Sequence, residues 1–238
     1  LESIQKSISN TSKVLNELLK KGVSIKWHLN GLCFEKTSIW PEGHYYQCGF
    51  STESKEEIIE LLRSYGMIWE TVEAVPDTKM EITASRIALY NGRGAGADFS
   101  APLIEVLEQG GFSFTQLDDH EIRDGKLSHF DIFLVPGSPD AGECYYAGLG
   151  KAGYEKVRNF LSESGQYFGI CGGAYLPLTS YDTQNPYWLN IVEATDTEGL
   201  DYWRTGSGFV RCRIEDNQNP IFSSVALGGS SSLNLVYW

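Results

Sequence analysis

The chain has 238 residues and a mass of 26.5 kDa, enough to bury a core as one large domain or two small ones. Nineteen Lys and Arg against 31 Asp and Glu give a net charge of -12 and a pI near 4.8, the wrong sign for a surface that neutralises nucleic-acid phosphates or anionic lipid. Hydrophobic residues make up 42% and charged residues 21%, an ordinary globular mixture, and no apolar run approaches the roughly 18 residues that span a bilayer.

The start at Leu1, without an apolar h-region or a small-residue cleavage pattern in Glu2 to Asn10, reads as a processed end or the start of a fragment. Residues 11–22 predict a helix, with Val14, Leu15 and Leu18 at helical spacing and Gly22 as a left-handed stop. Val23, Ile25, Trp27 and Leu29 alternate with polar residues as in a half-buried strand, and His44 to Phe50 predicts a second. Ser54 with Glu57 suggests a capping box before Ile58, Ile59 and Leu62, Gly66 ends that helix, and Met67 to Val72 reads as extended. These elements predict a small α+β unit over residues 1–80, joined to the second half of the chain by the aperiodic, Pro-bearing stretch 73–85.

From residue 85 the pattern changes. Arg86 to Tyr90 is a short apolar strand, followed by the glycine-rich Gly92-Arg93-Gly94-Ala95-Gly96 and a helix over 100–109 that Gly110-Gly111 ends. Phe112 to Leu117 is a second strand. Phe130 to Val135 is a third, apolar enough to be buried on both faces of a parallel sheet. Tyr154, Val157, Phe160 and Leu161 mark a helix, and Gln166 to Ile170 a fourth strand. Alternation of this kind predicts an α/β fold with a doubly wound, mainly parallel sheet over 85–238.

Tyr167-Phe168-Gly169-Ile170-Cys171-Gly172-Gly173-Ala174-Tyr175 runs a strand straight into a glycine-flanked cysteine, the shape of a nucleophile elbow. Gly169 and Gly173 relieve crowding, the helix N-terminus favours the Cys171 thiolate, and turn amides can receive an oxyanion. The alternative is a buried cysteine at a tight turn. Val135-Pro136-Gly137-Ser138-Pro139-Asp140 leaves the third strand at the carboxyl edge, where open α/β sheets bind ligands. There the amide of Gly137 or Ser138 can complete an oxyanion hole with Gly172, unless the segment is only a Pro-Gly turn.

At these residues the chain resembles class I glutamine amidotransferase-like domains. Tyr90-Asn91-Gly92, Pro136-Gly137-Ser138-Pro139-Asp140 and Gly169-Ile170-Cys171-Gly172-Gly173-Ala174-Tyr175 are most similar to the branch named after the N-terminal region of biotin-protein ligases, over roughly residues 85–238. The resemblance implies a flavodoxin-like sheet and a catalytic Cys171. With it, Asn91, Gly92, Arg93, Ser138 and Asp140 become candidate substrate-binding residues. More faintly, Leu19 to Trp27 and Glu42 to Tyr45 look like a segment that precedes such domains in some zinc carboxypeptidase-like proteins, although no peptidase zinc motif is present.

The departures are specific. Amidotransferases of this type pair the cysteine with a downstream histidine, but His28, His44, His120 and His129 all precede Cys171. The base then lies beyond Trp238, where Leu235 to Trp238 reads as an interrupted strand, or the triad is missing; within the chain His120 is the candidate, because it follows the second strand, while His129 precedes a strand and belongs at the opposite sheet end. Pro177 falls about two turns into the expected elbow helix and removes a backbone donor.

Gly92 to Gly96 spaces its glycines G-x-G-x-G and has no Walker lysine, which argues against a dinucleotide or nucleotide loop, and no partner motif for biotin ligation follows. Arg93 is instead available to an anionic substrate group. His28, Cys33, His44 and Cys48 lack the spacing of a structural zinc site, and core thiols or a Cys33 to Cys48 disulfide explain the cysteines better. Five cysteines are too few for a disulfide scaffold, so the compartment is open, with the cytoplasm slightly favoured. Tyr145, Tyr146, Trp188, Tyr202 and Trp203 line a pocket or fill core. The expected function is a cysteine-dependent amide hydrolase or amidotransferase domain without cofactor, acting on a small-molecule or peptide-like substrate. The alternative is a catalytically inactive binding or accessory domain of a larger protein, with a further domain or partner chain.

Overall fold

The structure is a computed structural model that describes residues 2–33, 46–51, 56–67, 80–179, 186–194, 208–215 and 232–237. In chain order it contains α1 (Glu2–Lys20), β1 (Ile25–Cys33), β2 (Tyr46–Ser51), α2 (Glu56–Ser64), β3 (Met80–Ile82), β4 (Ile87–Tyr90), α3 (Ala97–Gln109) and β5 (Phe114–Leu117). Then come α4 (Asp119–Arg123), a 3-10 turn (Lys126–His129), β6 (Ile132–Val135), α5 (Ala141–Ser162), β7 (Gln166–Gly169), α6 (Gly172–Tyr175), β8 (Gly208–Arg213) and β9 (Ser232–Tyr237). Among the described residues no helix is long and apolar enough to cross a membrane.

β5, β4, β6 and β7 form a parallel sheet in that order, with Ile87 opposite both Phe114 and Ile132, and Ile132 opposite Gln166. Every residue of β4 is buried, because both faces of the strand are covered. Ala88, Tyr90, Phe133 and Val135 project to one face and pack with Tyr145, Leu149, Tyr154 and Val157 of α5. Ile87, Leu89 and Leu134 project to the other and pack with Leu103, Ile104 and Leu107 of α3. The result is an α/β sheet flanked by helices.

The compact units interleave along the chain. One comprises Leu1–Gly22, Glu56–Trp69 and Thr83–Thr197; the other comprises Val23–Lys55, Glu70–Ile82 and Glu198–Trp238. In the first, Asn16 Nδ2 donates to the carbonyl of Gly110 at 2.9 Å and Lys20 Nζ to that of Gly111 at 2.9 Å. Side chains of α1 thus satisfy carbonyls just past the C-terminal end of α3. Tyr65, which follows α2, donates its hydroxyl to Glu17 at 2.5 Å, and its carbonyl accepts from Asn10 Nδ2 at 3.2 Å. In the second unit β1 lies between β2 and β3 in an antiparallel sheet, and β8 and β9 form an antiparallel pair.

Several elements differ from the sequence reading. The stretch 73–85, expected to be connection, contains β3, whose Ile82 faces Ile25 of β1. α5 covers 141–162, beyond the helix marked by Tyr154 to Leu161, and is broken at Gly150 (φ 57, ψ -171). α4 begins with a capping box in which Asp118 accepts the Glu121 N–H and Glu121 accepts the Asp118 N–H. The expected Ser54 cap and the extended run to Val72 lie outside the described residues apart from Met67.

Candidate functional site

Ile170 donates its N–H to Val135 at 3.0 Å, so the strand stays paired to β6 until one residue before Cys171. Cys171 then takes φ 53, ψ -122, a positive-φ conformation that costs a non-glycine residue about 1–3 kcal/mol and persists only where its surroundings impose it. They do so here: Gly173 N–H reaches Ile170 O at 2.9 Å, Ala174 N–H reaches Cys171 O at 2.8 Å, and the Tyr167 hydroxyl donates to Gly173 O at 2.6 Å. Methyl groups added at Gly169 or Gly173 would strike the backbone of Gly173 or of Val135 and Pro136. Cys171 itself is exposed.

The elbow helix differs from the expectation. α6 is a single turn, Gly172–Tyr175, so it offers backbone N–H groups rather than the macrodipole of a long helix. Pro177 lies beyond it, and its carbonyl accepts the N–H groups of Ile191 and Val192, each at 2.9 Å. The missing proline donor therefore interrupts nothing.

The loop after β6 lies against the elbow. A methyl on Gly137 would sit 3.3 Å from Cys171 Cβ, and one on Gly172 would sit 2.8 Å from Ser138 N. Pro136, Gly137 and Ser138 are buried. Ser138 Oγ donates to Asp140 O at 3.2 Å, and the buried Tyr145 hydroxyl donates to Pro136 O. Asp140 is exposed at the N-terminal end of α5, and its carbonyl also accepts the Cys144 N–H at 3.1 Å.

The loop after β4 is held mainly by the far flank of the sheet. Asn91 Nδ2 donates to Gln116 at 2.6 Å, the Arg93 N–H donates to Asp119 Oδ1 at 3.3 Å, and the Tyr90 hydroxyl donates to Arg93 O at 2.6 Å. Gly92 packs on Asp119, while Gly94 (φ 99) packs on the backbone of Cys144 and Tyr145. Arg93 is exposed. This segment meets the elbow region through Phe99 in the first turn of α3: a methyl on Gly137 would lie 2.6 Å from Phe99 Cδ1. The sequence does not mark Phe99, because one aromatic residue in an amphipathic helix carries no signal of its own.

His120 is not brought to Cys171. It sits after β5, three strand spacings from β7 or roughly 14 Å, and accepts from Arg123 at 2.8 Å through Nδ1. His129 precedes β6 at the opposite end of the sheet. Burial makes the phenols around the site hard to ionise: it pushes Tyr145 and Tyr167 up, and a negative charge at Cys171 raises Tyr145 further. Burial also acts to raise Asp119, but the Arg93 N–H and the Arg123 guanidinium outweigh it and hold the carboxyl below its ordinary value.

The order β5-β4-β6-β7 places the loops after β4 and β6 at the point where the strand order reverses, the usual ligand position in open α/β sheets. No family model and no solved structure matches the chain. An uncharacterized protein of Chlamydia muridarum (strain MoPn / Nigg) is 25% identical over 118 residues, which cover 47% of this chain and 44% of that protein. The chain therefore matches less than half the length of that relative.

Proposed function

We propose that Cys171 is the nucleophile of a cysteine-dependent amide hydrolase or amidotransferase site, in a doubly wound domain of the glutamine amidotransferase-like type and its biotin-protein ligase N-terminal-like branch. The observation that carries this reading is the forced φ of 53 at an exposed cysteine packed against the Gly137 loop. Strained backbone of this kind clusters at active sites because it presents a side chain that relaxed geometry would turn away.

In the proposed reaction the Cys171 thiolate attacks a substrate carbonyl carbon, and the C=O electron pair moves onto oxygen. Backbone N–H groups of Gly172 and of Gly137 or Ser138 receive that oxyanion. Collapse re-forms the carbonyl, breaks the bond to the leaving group and leaves a thioester on Cys171; a proton reaches the departing amine from solvent. Water then attacks the thioester and frees the thiol and a carboxylic acid, and the nitrogen released in the first step leaves as ammonia or amine or passes to an acceptor. The substrate is a small molecule or peptide-like chain carrying an amide, with Arg93, Ser138 and Asp140 the candidates to contact it.

A second reading, a catalytically inactive binding or accessory domain, draws on His120, which is occupied by Arg123 on the far flank. Acetylation with p-nitrophenyl acetate separates the two. The catalytic reading expects a burst of one p-nitrophenolate per chain with an acetyl group on Cys171, lost in Cys171→Ala. A native protein that leaves Cys171 unacetylated would support the inactive domain.

A further inference from the structure

We propose that Tyr145 is a positioning residue for acyl transfer, its buried hydroxyl fixing the Pro136–Gly137 peptide so that the Gly137 N–H faces the oxyanion. The assignment rests on the reading of Cys171 as a nucleophile. In a trans peptide the C=O and the following N–H point to opposite sides of the chain, and the chain has no cis peptide bond among the described residues. The Pro136 carbonyl accepts the Tyr145 hydroxyl from α5, and a methyl on Gly173 would lie 2.6 Å from the same oxygen. These contacts place the carbonyl toward Tyr145 and Gly173. The Gly137 N–H therefore points away from both Tyr145 and Gly173, while Gly137 itself packs beside Cys171 Cβ.

Without the hydroxyl, a buried carbonyl would have to find another donor, and rotation of this peptide plane is the motion that lets it do so. That rotation would turn the N–H away from the oxyanion. Burial and a nearby thiolate charge keep the phenol protonated, so Tyr145 remains a donor in the state in which Cys171 reacts. The hydroxyl is separable from packing. Tyr145 is 0% exposed and its ring stacks at a tilt on Tyr90, 5.8 Å between centroids, so Tyr145→Phe keeps the apolar contacts. Tyr167 plays the matching part in the elbow itself, where its hydroxyl holds Gly173 O.

Three readouts on native protein and Tyr145→Phe test the assignment. Iodoacetamide alkylation of Cys171, in which the thiolate displaces iodide and no oxyanion forms, is expected to change by less than about twofold. Acetylation by p-nitrophenyl acetate is expected to fall at least about tenfold, since it needs the oxyanion donors. The Gly137 amide resonance is expected to shift or broaden. Tyr146→Phe, on the same helix with its ring against Tyr154 and Tyr187, is expected to leave all three as in the native protein. Unchanged acetylation in Tyr145→Phe, or an unmoved Gly137 resonance, overturns the assignment. If native Cys171 never acetylates, the nucleophile reading fails, and the Gly137 resonance still decides whether Tyr145 fixes the peptide. In the native protein alone, a Tyr145 hydroxyl proton that exchanges with water as fast as that of Tyr146 also overturns it.

Discussion

Gly137 and Cys171, at the carboxyl ends of adjacent parallel strands, approach so closely that a methyl on the glycine would lie 3.3 Å from the cysteine Cβ. The contact joins the two loops that the proposed reaction needs together, a nucleophile and an oxyanion donor. It also explains why residue 137 has no side chain: the same methyl would collide with Phe99 at 2.6 Å.

Gly137→Ala should therefore cost stability as well as reactivity. Overpacking of this kind typically costs about 1–3 kcal/mol, to be read as a lower urea midpoint at unchanged slope. Acetylation of Cys171 should slow in the same variant. An unchanged midpoint would mean that the loops are further apart than described.

The strain at residue 171 predicts a stabilising change. Glycine adopts a positive φ without the Cβ penalty, so Cys171→Gly should be more stable than Cys171→Ala by about 1 kcal/mol after the extra unfolded-state entropy of glycine. Equal or reversed stabilities in denaturant titrations would show that the positive-φ conformation is not held in the folded protein.

At the amino edge of the sheet, Arg86 and Asp131 tie the approach to β4 to that of β6. The carboxylate accepts the guanidinium at 2.5 Å and the Arg86 backbone N–H at 2.7 Å, which lower the Asp131 pKa to about 2. Its folded value lies below the ordinary aspartate value near 3.9. The stabilisation is thus present above about pH 4 and lost as pH falls toward 2. With 40% of the side chain exposed, solvent screening leaves about 1 kcal/mol or less. Asp131→Asn should lose that amount at pH 7 and match the native protein near pH 2; a stability gap independent of pH would assign the effect to packing.

The legible parts of the sequence were those with short-range signals. Ile87 to Tyr90 and Ile132 to Val135 are unbroken apolar runs, and Gly-x-Cys-x-Gly fixes a turn because glycine alone tolerates the contacts at Gly169 and Gly173. The interleaved units were hidden, because Asn16 and Lys20 find their partners 94 and 91 residues away. β3 has three residues with Glu81 at its centre, too few for alternation to register. The first half of α5 carries Gly142, Gly148 and Gly150, which count against a helix until the close approach of Arg93 to Gly148 is seen. Tyr145 reads in the sequence only as a pocket or core aromatic, and nothing local marks Phe99 as a neighbour of the elbow.

His120 is expected to be dispensable. General-base assistance typically contributes about 10² to 10⁴-fold, and the imidazole that would supply it is bound to Arg123 on the far flank. The purified chain should release little ammonia from glutamine, and His120→Ala should not alter the Cys171 acetylation rate. Robust ammonia release that His120→Ala abolishes would require the β5 flank to reach the elbow.

In the proposed reaction the elbow geometry, rather than exposure alone, makes Cys171 reactive toward carbonyls. Cys171 and Cys212 are both exposed free thiols, which makes one an internal control for the other. With limiting p-nitrophenyl acetate at about pH 7, peptide mapping by mass spectrometry should find Cys171 acetylated at least about tenfold faster than Cys212, the gain expected of a placed oxyanion donor. Equal acetylation of the two cysteines would show that the elbow confers no reactivity beyond that of an exposed thiol.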